Sequence, residues 1–171
     1  MKEQEPALAD PDGLCLLPDL DRANIVARNG HVNVLEWMKQ NNCPLPDKRG
    51  AYLAAKNGRI NVLEWMKENK LPLPDLGGAT TAIQNGHANV LEWMKQNRLP
   101  LPDQWGANLA VTSGSDDDMY GVYGADDVLE WMKQNRSILP DEEHIEEALK
   151  FHIPEIIDWL TLNNLIYKRN E

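Results

Sequence analysis

The sequence predicts an all-α solenoid of five stacked helix-turn-helix repeats, and three observations carry that prediction. The string Val-Leu-Glu-Trp-Met-Lys ends at Lys39, Lys67, Lys95 and Lys133. Pro-Asp pairs recur at Pro18-Asp19, Pro46-Asp47, Pro74-Asp75, Pro102-Asp103 and Pro140-Asp141, and glycines keep the same register at Gly30, Gly58, Gly86 and Gly114. Trp37, Trp65 and Trp93 lie 28 residues apart, Trp131 follows after 38 and Trp159 after another 28, so the period is 28 with one ten-residue insertion. The repeats therefore occupy 19–46, 47–74, 75–102, 103–140 and 141–168 of a single repeat domain. Residues 1–18 form a leader and N-terminal capping segment whose Leu16-Leu17-Pro18 imitates the close of a missing repeat, and 169–171 is a tail.

The second repeat shows why each element forms. Asp47 follows Pro46 and precedes Ala51, Leu53, Ala54 and Ala55, which suits a first helix with a side-chain acceptor at its N-cap. Asn57-Gly58 closes it, because Asn and Gly tolerate the left-handed conformation of a tight helix-to-helix turn. Ile60, Val62, Leu63, Trp65 and Met66 then recur at helical spacing, giving a second helix with one apolar face and Asn61, Glu64, Lys67 and Glu68 outside it. Leu71-Pro72-Leu73-Pro74 stops that helix, since proline cannot continue the hydrogen-bond ladder and holds its predecessor extended. A hairpin this short cannot bury both faces alone, so neighbours must stack to make a continuous core.

Composition limits the function classes. The 171 residues carry 17 Lys+Arg against 27 Asp+Glu, a net charge of −10, with 42% hydrophobic residues. A balance so acidic argues against a nucleic-acid partner, whose phosphates are met by clustered Lys and Arg. The chain has no unbroken apolar run near the ~18 residues a membrane span needs. Two cysteines are too few to staple a chain of this length, and no charged start with an apolar stretch opens it, so an intracellular, reducing compartment, cytoplasmic or nuclear, is expected. Cys15 and Cys43 share a register position on stacked helices and are expected as small buried thiols.

The residues Ala54-Ala55-Lys56-Asn57-Gly58, the Gly-His pairs Gly30-His31 and Gly86-His87, and the Val-Leu-x-Trp-Met strings resemble the ankyrin-repeat family. The resemblance covers residues 14–168 and departs from the family in length: an ankyrin unit has about 33 residues and a Thr-Pro-Leu-His segment, absent here between Gly50 and Ala54. It implies ankyrin-like repeats whose β-hairpin fingers are shortened or absent. It also implies a non-catalytic protein–protein interaction module with its partner on a concave face formed by the first helices. Function is not fixed by such a fold, because the family binds many unrelated partners.

Positions that vary among near-identical repeats are free of the core's demands, and they nominate that face. They are Lys48, Arg49 and Tyr52 in the second repeat, Leu76 and Thr80 in the third, and Gln104, Trp105 and Asn108 in the fourth. Trp105 stands out as the one tryptophan off the 28-residue register, and Tyr, Trp and Arg are enriched at interface hot spots. The insertion, residues 115–124 between Gly114 and Val128, brings Met119, Tyr120, Val122 and Tyr123 among acids. Tyr120 and Tyr123 are candidate contacts if it is a docking arm. A plain loop and a calcium site built on Asp116, Asp118, Asp126 and Asp127 stand beside that reading, the last without EF-hand spacing.

Other chemistry is not encoded. His31 and His87 are too far apart to share a metal and are expected to bond backbone in the inter-helix turns, while His144 and His152 are expected on a solvated face. No phosphate-cradling loop and no nucleophile-base set is present, so no enzyme, no cofactor and no metal are expected. By repeat the net charge runs 0, +3, 0, −5 and −5, which would steer a partner with a basic surface toward the last two repeats. Against that, Glu142, Glu143, Glu146 and Glu147 suit the polar outer face of a terminal repeat. Ile153-Pro154-Glu155-Ile156-Ile157-Asp158-Trp159-Leu160 resembles the opening of an F-box, which would make the chain a substrate adaptor for a ubiquitin ligase, of the viral or pathogen-effector type. The repeat register competes with that reading, since Trp159 falls on the period and Pro154 suits the first turn of a second helix. A monomer is expected.

Overall fold

The computed structural model describes residues 19–112, 124–150 and 154–163. Among these residues the chain forms ten α-helices and no strand. It divides into two compact units, Met1–Pro74 and Asp75–Glu171, and the division falls between the second and third repeats. No helix among the described residues is long and apolar enough to cross a membrane.

In the first unit, α1 (Leu20–Asn29) and α2 (Val32–Gln40) form one hairpin, and α3 (Lys48–Lys56) and α4 (Ile60–Glu68) the next. Helix α1 packs along α3, and α2 along α4. The second unit holds α5 (Leu76–Gln84), α6 (Ala88–Gln96), α7 (Gln104–Thr112), α8 (Ala125–Gln134), α9 (Glu142–Lys150) and α10 (Pro154–Leu162). There the first helices α5, α7 and α9 pack in sequence, as do the second helices α6, α8 and α10. Pro154 opens α10, which lies against α8 as its place in the repeat requires.

The Pro-Asp pairs act as the sequence predicts. Each aspartate accepts a backbone N–H one turn into its helix: Asp19 from Arg22 at 3.0 Å, Asp47 from Arg49 at 2.9 Å, Asp75 from Gly77 at 3.0 Å, Asp103 from Gly106 at 3.1 Å and Asp141 from His144 at 3.1 Å. Gly30, Gly58 and Gly86 take positive φ at the inter-helix turns. In the fourth repeat Gly124 does so with φ 81, and Gly114 lies outside the described residues. Gly124 precedes Val128 by four residues just as Gly30 precedes Val34. A Cβ at Gly124 would stand 2.8 Å from the Gly86 carbonyl oxygen, so the two turns meet backbone to backbone.

The even helices end by a device that reading Leu71-Pro72 as a stop does not reveal. Asn42, Lys70, Arg98 and Arg136 adopt left-handed backbone, with φ between 51 and 57. The next N–H, on Cys43, Leu71, Leu99 and Ser137, returns to the carbonyl of Met38, Met66, Met94 and Met132 at 2.8–2.9 Å, which satisfies carbonyls that the helix end leaves open.

The Trp-Met stripe is core. Met38, Met66, Met94 and Met132 are 0–1% exposed, and Trp65, Trp131 and Trp159 are 6–8% exposed. A buried indole N–H needs an acceptor, and the preceding repeat supplies one. Trp65 Nε1 donates to Glu36 at 3.0 Å, Trp131 to Glu92 at 2.9 Å and Trp159 to Glu130 at 3.1 Å. The second oxygen of each carboxylate accepts from the glutamine one turn later, Gln40, Gln96 or Gln134. The glutamates placed outside the apolar face are thus the links between successive hairpins. Asn61, placed outside with them, also reaches back, its Nδ2 donating to the Gly30 carbonyl at 2.9 Å.

Cys43 corrects another expectation. It is buried, 6% exposed, but it is disulfide-bonded and not a free thiol. The only other cysteine in the sequence, Cys15, lies outside the described residues.

Candidate partner-binding face

Of the variable positions, Lys48, Arg49, Leu76, Gln104 and Trp105 fall in the first two places of the first helices, and Tyr52, Thr80 and Asn108 fall one turn further in. In the first unit, Lys48, Arg49 and Tyr52 lie on α3 behind the Asp47 cap. Arg49 Nη1 pairs with Asp21 Oδ1 at 2.6 Å, and both side chains are about two-thirds exposed, at 67% and 70%. A pair so open to water adds little stability, and it leaves a charged rim beside Tyr52, which is 39% exposed. In the second unit, Leu76 opens α5 and Gln104 and Trp105 open α7, two helices packed against each other. Leu76 is 40% exposed and Trp105 64%. An indole left this far in water, on a helix whose next three residues are buried, is set up by the backbone and not required by the core.

Two of the expected contacts are not available to a partner. Thr80 is 6% exposed and Asn108 is 7% exposed. Asn108 Oδ1 accepts the backbone N–H of Asp141 at 3.0 Å while its Nδ2 donates to Asp141 Oδ2 at 2.8 Å, so this side chain joins the fourth repeat to the fifth. Asn24, in the same register, accepts the Asp47 N–H at 3.2 Å and joins the first repeat to the second. At 24 and 108 a small polar side chain at this position holds the next repeat, whereas Tyr52, in the same register, is 39% exposed. Gln104 is exposed but engaged, its Nε2 donating to Asn108 Oδ1 at 2.9 Å and to the Leu139 carbonyl at 3.0 Å. Recurrence of Asn at 24 and 108 is the signal that variability here is structural.

The remaining candidates separate as follows. Tyr120, Tyr123 and the rest of the insertion up to Tyr123 lie outside the described residues, as does His152. His31 and His87 stand at the N-caps of α2 and α6, and neither makes a side-chain cap bond. His144 does not lie loose on a solvated face: its Nδ1 sits 2.6 Å from Asp141 Oδ1. That contact raises the His144 pKa above its ordinary value, and the same bond lowers that of Asp141. Among the described residues no three His, Cys, Asp or Glu side chains gather where a metal could be held.

Within each unit the arrangement leaves apolar and aromatic groups exposed beside polar ones held by hydrogen bonds or an ion pair. No protein-family model matches the chain, and no curated protein matches it.

Proposed function

We propose that the chain is a protein-interaction module without catalytic activity, a stack of short ankyrin-like hairpins that takes a protein partner on the N-terminal edge of its first helices. The observation that carries this reading is Trp105, an indole 64% exposed at the start of α7 with Leu76 exposed on the helix packed beside it. An exposed aromatic anchor next to aliphatic surface is the feature that concentrates binding energy in protein interfaces. Tyr52, with the Arg49–Asp21 pair beside it, offers a second contact of the same kind on the first unit. Glu142, Glu143, Glu146 and Glu147 are exposed on α9 and favour a partner with a basic surface, attracted more strongly at low salt.

The test is a quantitative pull-down from cytosolic and nuclear lysate with the wild type, Trp105→Ala, Leu76→Ala and Tyr52→Ala, each first shown to keep its helical content. A specific partner held by the wild type and released by Trp105→Ala supports the reading. A wild type that holds no protein specifically, or a Trp105→Ala variant that holds the same partner as tightly, overturns it.

A further inference from the structure

Trp105 stands between two unlike neighbours. Helix α7 packs against α5 on one side and α9 on the other. The repeat register sets Gly77 of α5 and Glu143 of α9 on either side of Trp105, with Leu76, Gln104 and Glu142 forming the same row one residue earlier. Hydrogen bonds hold the row together across the last repeat boundary. Gln104 Nε2 donates to the Leu139 carbonyl at 3.0 Å, and Asn108, one turn further along α7, accepts the Asp141 N–H at 3.0 Å and donates to its carboxylate at 2.8 Å. The start of α7 is thereby fixed beside the residue that precedes Glu142 and Glu143.

The two sides of the indole differ in what they offer a partner. On the α5 side there is room: Gly77 is exposed, and among the described residues a Cβ added to it would meet only Asp75 Oδ1, at 3.2 Å. On the α9 side Glu142 and Glu143 are exposed and present carboxylates. The wider field has the same sign. Residues 1–74 carry no net charge, so the whole −10 of the chain lies in residues 75–171, the unit that holds Trp105. A basic partner is steered to this unit and an acidic one is turned away. At the ring itself, a Lys or Arg side chain gains from an indole face and from a carboxylate at once, and Trp is the strongest of the aromatic rings in such a contact.

We propose that the partner engages this row as a basic segment, with a Lys or Arg side chain over the Trp105 ring and paired to Glu142 or Glu143, and an apolar side chain against Leu76 beside Gly77. Packed helices lie about 8–10 Å apart, so the apolar residue and the cation stand about three residues apart in an extended peptide. The inference rests on the reading of Trp105 as the partner's anchor and adds the chemistry of what it anchors.

A display library of random peptides about ten residues long, panned on the full chain, tests it, with the selected peptides then synthesised and titrated by fluorescence anisotropy. The expected result is enrichment of Lys or Arg about three residues from an apolar residue, and affinity that falls as salt rises. Trp105→Leu, which keeps apolar surface and removes the π face, should weaken binding about fivefold, and Glu142→Gln with Glu143→Gln about tenfold. All three positions are exposed, and helical content checks that each variant folds. A peptide whose cation is replaced by norleucine should bind the wild type more weakly and be indifferent to both changes. Peptides that need Trp105 but carry no Lys or Arg, or that bind the glutamine variant as tightly as the wild type, leave Trp105 as an anchor and overturn the basic-segment proposal. A library that yields no peptide dependent on Trp105 overturns the anchor reading and this inference with it. Binding that appears only after removal of residues 168–171 also overturns it, because Lys168 or Arg169 of the chain itself would then be the cation at Trp105.

Discussion

Trp131 donates its indole N–H to Glu92 across the boundary between the third and fourth repeats, at 2.9 Å, although 39 residues separate them in the chain. The ten-residue insertion lies between the two and does not disturb the link, since the same bond joins Trp65 to Glu36 at 3.0 Å where no insertion intervenes. Trp131 is 8% exposed, so removing its acceptor leaves a polar hydrogen in the core. Trp131→Phe should cost about 1–2 kcal/mol, through the lost bond and the smaller ring. A double-mutant cycle with Glu92→Gln, read by chemical denaturation, should show the two substitutions to be less than additive. Additive effects would mean that the bond contributes nothing to stability.

The same links make the protein sensitive to acid. The Trp65 N–H lowers the pKa of Glu36, the Trp131 N–H lowers that of Glu92, and the amide of Gln134, followed by Trp159, lowers that of Glu130. A carboxylate whose folded pKa is depressed contributes stability that is present above its ordinary value near 4.5 and is lost as pH falls through the lowered one. The Tm should therefore fall steeply below about pH 4.5, and less steeply in Glu92→Gln. Equal slopes for the variant and the wild type would remove Glu92 from the acid response.

The glycines one turn into the first helices separate two roles that the sequence does not distinguish. A Cβ on Gly50 would lie 2.5 Å from Asn24 Oδ1 and 2.6 Å from Pro46 Cβ, so Gly50→Ala must push away the side chain that holds the Asp47 N–H. It should destabilise by about 2 kcal/mol. At exposed Gly77 the nearest atom is Asp75 Oδ1 at 3.2 Å, and Gly77→Ala should instead stabilise by about 0.5–1 kcal/mol through helix propensity. Thermal melts of the two variants decide both signs.

What the sequence discloses and what it hides divide along one line. Features that a residue makes with its own helix are legible: Asp47 as a cap, Gly58 as a turn, the spacing of Val62, Leu63, Trp65 and Met66 as a buried stripe. Features that need the next repeat are not. Asn108 reads as a surface residue because the Asp141 N–H that it holds belongs to the next repeat, and Glu92 reads as a solvated residue because its partner lies across the repeat boundary. Of the positions expected on a face, Trp105, Leu76 and Tyr52 are exposed, and the departure of Trp105 from the 28-residue register is the sign of its exposure that the sequence carries.

His144 should make the last repeat sensitive to pH in the other direction. Its bond to Asp141 comes first among the causes that raise its pKa, with Glu143 and Glu147 adding to it. A histidine whose folded pKa is raised contributes stability that is fully present below its ordinary value near 6.5 and is lost as pH rises through the raised one. Asp141, with its pKa lowered, keeps its charge until well into acid. The His144–Asp141–Asn108 chain is therefore tightest in mild acid and loosens toward alkaline pH. An NMR titration of His144 should show a midpoint above that of the unfolded chain, and His144→Gln should flatten the fall in Tm between neutral and alkaline pH. A midpoint at or below the ordinary value would refute this account.

The left-handed residues that close the even helices offer the last test. At Lys70, Arg98 and Arg136 a residue with a Cβ occupies a conformation that costs an L-residue about 1–2 kcal/mol relative to glycine. All three side chains are exposed, so little packing is lost on their removal. Glycine at these positions gives up some unfolded-state entropy, about 0.5–1 kcal/mol, which offsets part of the relief. Arg98→Gly should therefore stabilise by up to about 1 kcal/mol, while Arg98→Ala, which keeps the Cβ and removes the charge from the helix end, should not. If the two variants melt together below the wild type, the cation's interaction with the helix C-terminus outweighs the backbone strain. If only the alanine variant does, the backbone strain outweighs the lost charge and the three positions can be relieved together.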